Sequence, residues 1–245
     1  MGELIAVLSG KGGTGKTSLC AGIATALAAE GERVLCIDCD IGLRNLDISL
    51  AMADSGALSF ADVYQGSYTL SHAATHRDYP TLWFLTAPLN CSADDIDTQA
   101  FSDMLRKARR IYNYIFLDAP AGLDAGFRLC AQHADRVILV TNPDPSAIRD
   151  AASTGRKLEL MGKTQIRIVV NRVKKKMMKV TERTVDDIMD DAGLPLLGIV
   201  PEDENVTLAA VFETPLLQYT RKGAAAACRR IAKRVRGLSE PVSIH

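Results

Sequence analysis

The chain has 245 residues, of which 47% are hydrophobic and 24% charged, which is enough to bury a full core and predicts one α/β domain over residues 1–245. Lysine plus arginine equals aspartate plus glutamate at 29 each, and zero net charge disfavours a DNA-binding protein, because phosphate recognition normally leaves a positive surface. No apolar run reaches the length of a transmembrane helix, and the six cysteines lie in apolar contexts, so we expect a reduced, cytoplasmic chain.

Apolar segments that are typical of buried strands recur along the chain and alternate with helix-like segments. They are residues 5–8, 34–37, 82–86, 114–117, 137–140, 166–170 and 197–200. Continuous apolar strands separated by helices predict a doubly wound, mostly parallel sheet with helices on both faces. Ligands of such folds bind beyond the carboxyl ends of the strands, so the residues that follow each strand form the candidate site.

Residues 10–17, with the sequence GKGGTGKT, follow the first predicted strand and precede an alanine-rich helical segment. They match the phosphate-loop pattern G-x-x-x-x-G-K-[ST], which makes this a P-loop NTPase candidate. Glycines let backbone N–H groups approach phosphate oxygens, and the following helix directs its positive end at the same anion. We predict that Lys16 contacts the β- and γ-phosphates of ATP and that the Thr17 hydroxyl binds Mg²⁺. The predicted nucleotide-binding loop consists of Gly10, Lys11, Gly12, Gly13, Thr14, Gly15, Lys16, Thr17 and Ser18.

A second lysine, Lys11, is not required by an ordinary phosphate loop, and a solvated loop lysine is the alternative interpretation. With this lysine the segment KGGTGKT resembles the deviant phosphate loop of the MinD/ParA family of ATPases. The resemblance implies that Lys11 contacts the partner's nucleotide across an ATP-sandwich homodimer. It would then act in trans, as an arginine finger does in other nucleotidases.

Two carboxylates, Asp38 and Asp40, follow the second predicted strand in the string DCDIGLRNLD. Carboxylates near a triphosphate suit Mg²⁺, which prefers oxygen ligands, and one of them can orient the attacking water. The string resembles switch I of the MinD branch of the family. This implies that Asp40 lies near the attacking water and the metal, and that Asp38 supports Mg²⁺. Solvated turn aspartates are the alternative interpretation.

A Walker B arrangement is predicted at residues 114–118, YIFLD, where an apolar strand ends in Asp118. Such an aspartate holds Mg²⁺, usually through water. The continuation, residues 118–124, resembles switch II of the family, in which Gly122 would let the loop rearrange between nucleotide states.

Asn171 ends a further strand, and an asparagine amide can both donate to and accept from the adenine edge, although many strands end in Asn for turn reasons. The pair NR here and the triplet PED at residues 201–203 resemble the adenine pocket of the family. The resemblance implies that the base is surrounded by Asn171, Arg172, Pro201 and Asp203. Between them we interpret residues 174–179, KKKMMK, as a solvated loop, with a partner or acidic-lipid contact as the alternative.

A basic amphipathic helix is predicted from residue 224 to about residue 238. Such helices can lie on anionic membranes, but its apolar stripe is small, and a surface helix packed on its own domain shows the same pattern. The family resemblance implies a separate amphipathic tail that binds membrane, and no second amphipathic segment is seen in residues 239–245. We therefore treat peripheral contact with the inner face of the cell membrane as unsupported by this segment.

The resemblance extends over roughly residues 5–217 and implies a slow, partner-stimulated ATPase that positions the cell-division septum. The implied partners are a second copy of the chain, a MinC-like septation inhibitor and a MinE-like activator. The predicted catalytic residues are Lys11, Lys16 and Asp40, and the predicted magnesium ligands are Thr17, Asp38, Asp40 and Asp118.

Other members of the same fold remain as alternatives. A flagellar-number MinD relative shares the loop and switches, and a ParA-type DNA segregation ATPase would need a basic surface. An iron–sulfur scaffold would need a C-x-x-C near the C-terminal end, where Cys228 is alone, and a tyrosine kinase would need a tyrosine cluster, where Tyr219 is alone.

Overall fold

An eight-stranded sheet forms the centre of the computed structural model, which describes residues 1–89, 91–182 and 184–242. Seven strands coincide within a few residues with the predicted apolar segments, because each carries a continuous run of buried side chains. The strands are β1 (Glu3–Leu8), β2 (Val34–Asp38), β3 (Ala74–Thr75), β4 (Leu82–Leu85), β5 (Tyr114–Asp118), β6 (Arg136–Thr141), β7 (Ile166–Val173) and β8 (Leu196–Pro201).

The strand order is β3-β4-β2-β5-β1-β6-β7-β8, and every pair is parallel except β3 with β4. Strand β1 lies between β5 and β6, so the segment that follows it emerges at the middle of the carboxyl edge. The register pairs Val7 of β1 and Asp38 of β2 with Asp118 of β5. The predicted doubly wound fold is confirmed, and three of the predicted site segments start at neighbouring strand ends.

Helices connect the strands and pack on both sides of the sheet. They are α1 (Lys16–Ala29), α2 (Leu46–Ser49), α3 (Phe60–Tyr64), α4 (Thr98–Ala108), α5 (Ala125–His133), α6 (Pro145–Leu160), α7 (Lys175–Thr181), α8 (Val185–Ala192), α9 (Asn205–Val211), α10 (Leu216–Tyr219) and α11 (Gly223–Val235). Two short 3₁₀ helices span Leu70–His72 and Ala93–Asp95.

Alternate residues of β1 belong to two separate hydrophobic clusters, as expected for a sheet that is covered on both faces. Leu4 and Leu8 belong to the cluster that includes Phe101 of α4 and Phe127 of α5. Ile5 and Val7 belong to the cluster formed with α1 and α11. Because the central strands are packed on both faces, the residues at their carboxyl ends have fixed positions relative to one another.

The predicted amphipathic helix α11 packs on its own fold and ends at Val235, three residues before its predicted end. Its apolar face is buried against α1 and β8, where a Cβ on Gly22 would meet Cys228 Sγ at 2.6 Å. In residues 1–242 without 90 and 183, no helix has the length and hydropathy needed to cross a membrane. The prediction about residues 239–245 falls partly on residues 243–245, which lie outside the described residues.

One local prediction differs from the structure, and one short strand was not predicted. Residues 174–179 were expected to form a loop, but α7 starts at Lys175, since lysine and methionine favour helices and Met178 packs against the core. Strand β3 has only two residues and pairs antiparallel with β4. A segment this short has no periodicity that could predict it.

Candidate nucleotide-binding site

The loop of residues 10–15 joins β1 to the N-terminus of α1. Gly13 and Gly15 have φ values of 77° and 84°, a region that residues with a Cβ rarely adopt. No side chain of the described residues caps α1, and its first turn holds no acidic residue. The free N–H groups and the positive helix end therefore face the loop and form a site for an anion.

The first glycine of the loop is fixed by packing against α6. A Cβ on Gly10 would lie 2.4 Å from Thr154 Oγ1, which donates to Asp150 O at 2.7 Å. Sequence analysis missed Thr154, because no local pattern signals a contact between positions this far apart.

A buried ion pair links the loop to the Walker B strand. Lys16 Nζ lies 3.0 Å from Asp118 Oδ1, and the two side chains are 7% and 1% exposed. Burial alone would lower the pKa of Lys16, but the charge and hydrogen bond of Asp118 outweigh it, so the pKa of Lys16 is raised. Burial also raises the pKa of Asp118, and Lys16 offsets that rise only in part. The pair thus brings together a buried ammonium group and a carboxylate at the N-terminus of α1.

The donor set next to this pair fits a hydrated Mg²⁺. Among the described residues, Asp118 Oδ2 is a buried oxygen with no hydrogen-bond partner. Thr17 lies close enough for its hydroxyl to lower the pKa of Asp118. An unpartnered carboxylate oxygen beside a hydroxyl is the chemistry that Mg²⁺ prefers.

Asp38 and Asp40 lie beside Asp118, but the backbone already uses the Asp38 carboxylate. Asp38 Oδ1 accepts from Asp40 N at 2.9 Å, and Oδ2 accepts from Leu46 N at 3.1 Å. Burial, together with the charge of Asp118, raises the pKa of Asp38 to about 7. Asp38 therefore shapes the loop that presents Asp40, and its metal contact stays a prediction. Asp40 is half-buried at the carboxyl edge.

Lys11 lies on the exposed side of the loop. Its Nζ donates to Ser146 Oγ at 3.3 Å, and Ser146 Oγ donates to Asp144 Oδ1 at 2.7 Å at the start of α6. These contacts are exposed, so they are weak and exchangeable. The role of Lys11 at a second subunit, which the family resemblance implies, stays a prediction.

A cleft of about 510 Å³ opens beside the loop and contains all the residues predicted to surround the base. Asn171 Nδ2 donates to Thr14 O at 2.7 Å, and a Cβ on Gly15 would lie 2.3 Å from the same nitrogen. This contact orients the amide and commits one of its N–H groups. The cleft is lined by Gly15, Ser18, Leu19, Asn171, Arg172, Pro201, Asp203, Ala224 and Cys228, among others.

Asp203 lies in the wall of this cleft but its carboxylate is held by the protein. Oδ1 accepts from Asn205 N at 3.0 Å, and Oδ2 accepts from Ala224 N at 2.9 Å at the start of α11. Asp203 is therefore a fixed wall residue that ties α11 to the cleft. The contribution of α11, through Ala224 and Cys228, was missed because it depends on tertiary packing.

Comparison with known proteins agrees with this geometry. The family model described as the CobQ/CobB/MinD/ParA nucleotide binding domain matches residues 5–216. The septum site-determining protein MinD of Bacillus subtilis is 34% identical over 249 residues, covering 100% of this chain and 92% of the relative. MinD of Synechocystis is 34% identical, covering 98% of this chain and 92% of the relative.

Solved structures give the same result. The MinC:MinD cell division protein complex of Aquifex aeolicus contains a chain that superposes with a TM-score of 0.92 at 34% identity, covering 99% of both chains. MinD of Pyrococcus horikoshii complexed with Mg-ADP superposes with a TM-score of 0.83 at 26% identity, covering 96% of both chains.

Proposed function

Because the chain belongs to the CobQ/CobB/MinD/ParA family of nucleotide-binding domains, we propose that it hydrolyses ATP and dimerises when ATP is bound. Its relatives are septum site-determining proteins, so it is a MinD-like member that acts in cell-division positioning. The buried pair of Lys16 with Asp118 carries the proposal, because it brings together the lysine predicted to bind phosphate and the carboxylate predicted to bind Mg²⁺.

The phosphates of ATP bind at the loop of residues 10–15 through backbone N–H groups and the N-terminus of α1. Lys16 exchanges its partner from Asp118 to the β- and γ-phosphates, which carry more charge. Asp118 and Thr17 would then be available to hold Mg²⁺, with Asp38 and Asp40 nearby. When bound, Mg²⁺ neutralises charge on the phosphate oxygens.

Recognition of adenine depends on Asn171, with Arg172, Pro201 and Asp203 forming the rest of the base site. Since one Nδ2 hydrogen is committed to Thr14 O, the amide oxygen stays available as an acceptor. An acceptor suits the exocyclic amino group of adenine and disfavours the carbonyl of guanine.

Hydrolysis requires a water held at the γ-phosphate and a counter-charge for the leaving phosphates. Asp40 holds the water, because it lies on the loop that Asp38 fixes. Lys11 supplies the counter-charge to the nucleotide of a second copy of the chain. Loss of the γ-phosphate loosens two switch segments, the loop that follows β2 and residues 118–124. The dimer then separates.

Two further partners are proposed. A MinC-like septation inhibitor fits the relationship to the Aquifex chain solved as a MinC:MinD complex. A MinE-like activator that stimulates hydrolysis follows from the family resemblance alone.

The test is dimerisation as a function of nucleotide, measured by size exclusion with light scattering. We expect a dimer with a non-hydrolysable ATP analogue and a monomer with ADP. Lys11→Ala should prevent the dimer, and Lys107→Ala, which removes an exposed lysine of α4, is the matched control.

Phosphate release is measured on the same variants, with guanine nucleotides as a specificity control. Asp40→Ala should bind ATP and dimerise but release no phosphate. A protein that stays monomeric with both nucleotides would contradict the dimer mechanism, and equal turnover of ATP and GTP would contradict the role of Asn171.

A further inference from the structure

A second cleft lies at the amino end of the sheet, on the opposite edge from the phosphate loop. It has a volume of about 370 Å³ and lies where β6, β7 and β8 begin and α11 ends. Arg136 from β6, Arg167 from β7 and Arg234 from α11 line it. Three guanidinium groups around one cavity point to an anionic ligand.

Arg136 is neutralised within the protein. Its Nε lies 2.6 Å from Glu3 Oε1, and its Nη1 donates to Val235 O at 2.7 Å at the end of α11. Arg136 therefore holds the cleft together and adds little free positive charge.

Among the described residues, the hydrogen bonds of Arg234 go to backbone carbonyl oxygens. Nη1 donates to Leu197 O at 2.6 Å, and Nε and Nη2 donate to Glu240 O at 3.1 and 2.8 Å. The carboxylate of Glu240 accepts instead from Lys233. A guanidinium has five N–H donors, so two donors of Arg234 remain beyond the three bonds that it forms with described residues.

Arg167 completes the positive site. It is exposed and forms no hydrogen bond or ion pair with the residues that the structure describes. Burial lowers the pKa of Arg234, and the charges of Arg230 and Arg167 lower it further, while the charge of Glu240 opposes them in part. The two cleft arginines thus lie near each other, and the nearby carboxylate of Glu240 is paired with Lys233, so an anion placed between the arginines would relieve their repulsion.

The cleft wall also has an apolar part, next to the polar side chains of Gln165, Ser239 and Glu240. Ile5 and Leu197 are buried beneath the arginines, and Leu238 is 49% exposed at the rim. A ligand held here would contact charge on one side and hydrocarbon on the other. Inorganic phosphate would contact only the charged side of the cleft.

We propose that this cleft binds an organic phosphate, with the phosphate group between Arg167 and Arg234 and an apolar substituent against Leu238. A tetrahedral phosphate has enough oxygens to accept from both guanidinium groups at once. The ligand is a soluble phosphate ester or the headgroup of an anionic lipid, which share this chemistry. The site is separate from the nucleotide cleft, so its occupancy does not require the loop of residues 10–15.

Titration calorimetry on the full chain tests the proposal, with Mg-ADP in excess to fill the nucleotide site. The probes are phenyl phosphate, inorganic phosphate and dihexanoyl phosphatidic acid below its micelle concentration. Arg167→Gln should weaken phenyl phosphate binding about tenfold, as loss of a charge-assisted hydrogen bond predicts. Leu238→Glu should weaken it at least as much, and both side chains are exposed, so folding should not suffer.

Arg156→Gln removes an exposed arginine of α6 outside the cleft and is the matched control, with affinity expected to stay unchanged. Tighter binding of phenyl phosphate than of inorganic phosphate supports the apolar contact. A further gain with the lipid identifies a headgroup site, and no gain identifies a soluble ester. Absence of binding by all three probes, or equal losses in Arg156→Gln and Arg167→Gln, would overturn the proposal.

Discussion

The pair of Lys16 with Asp118 should couple strongly when the two side chains are removed singly and together. At 3.0 Å and an effective dielectric constant of about 20, their Coulomb attraction is about 5.5 kcal/mol before desolvation is subtracted. Removing one partner leaves the other charge buried, so Lys16→Ala and Asp118→Ala should each cost about 3 kcal/mol of unfolding free energy. The double variant should lose about 2 kcal/mol less than the sum of the two losses.

The assay is urea unfolding at pH 7.5 in EDTA, without nucleotide, for all four proteins of the cycle. Arg106 with Asp103 provides a matched control cycle, because its 2.8 Å contact is similarly short but its side chains are 63% and 41% exposed. We expect a coupling free energy below about 0.5 kcal/mol for this exposed pair. A coupling free energy below about 0.5 kcal/mol at the buried pair as well would refute the argument that burial makes this ion pair strong.

The proposed exchange of partners adds a second expectation to this cycle. If Lys16 leaves Asp118 for phosphate, saturating Mg-ADP should reduce the coupling between the two side chains, since their contact no longer contributes to the bound state. Coupling that is unchanged by Mg-ADP, in a protein shown to bind it, would contradict the exchange while leaving the ion pair itself intact.

Three further expectations follow from particular side chains. Asp38 has its pKa raised to about 7 by burial, so the folded state binds more protons than the unfolded state between about pH 4 and 7. Unfolding free energy should therefore fall by about 2–4 kcal/mol as pH rises through this window, and Asp38→Asn should reduce that dependence in urea titrations, leaving the part due to groups such as Asp118, whose pKa burial also raises. His76 accepts backbone N–H groups at Nδ1, and burial lowers its pKa, so its contribution to the unfolding free energy should be lost as pH falls below about 6.5. Amide hydrogen exchange around α2 should become faster below that pH in the parent protein, and should not change with pH in His76→Gln. Gly22→Ala would place a methyl 2.6 Å from Cys228 Sγ and should cost about 1–3 kcal/mol, whereas Gly42→Ala, with open space around it, should change the thermal midpoint little. Equal shifts for the two glycine variants would disprove the packing argument.

The strands and the phosphate loop could be predicted because their signals are local. Residues 114–118 are apolar and end in Asp118, and residues 10–17 carry their pattern in consecutive positions. The fold class and the family assignment are confirmed. The roles of the site residues and the single-domain assignment stay predictions.

Contacts between distant positions could not be predicted in the same way. Asp203 was expected to contact the base, and its engagement with Ala224 depends on where α11 packs. The two backbone hydrogen bonds of Asp38 depend on the path of the loop after β2. The ion pair of Lys16 with Asp118 requires β5 to lie next to β1. The order of strands in a sheet cannot be predicted from the local sequence of any one segment.

The hydrogen bond from Ala224 N to Asp203 makes α11 part of the nucleotide cleft as well as of the core. Truncating the chain before Gly223 would remove one wall of the cleft and uncover the apolar surfaces of α1 and β8. A shortened protein of this kind should aggregate before its nucleotide affinity could be measured. Minimal fragments intended for binding studies therefore have to retain the helix through Val235.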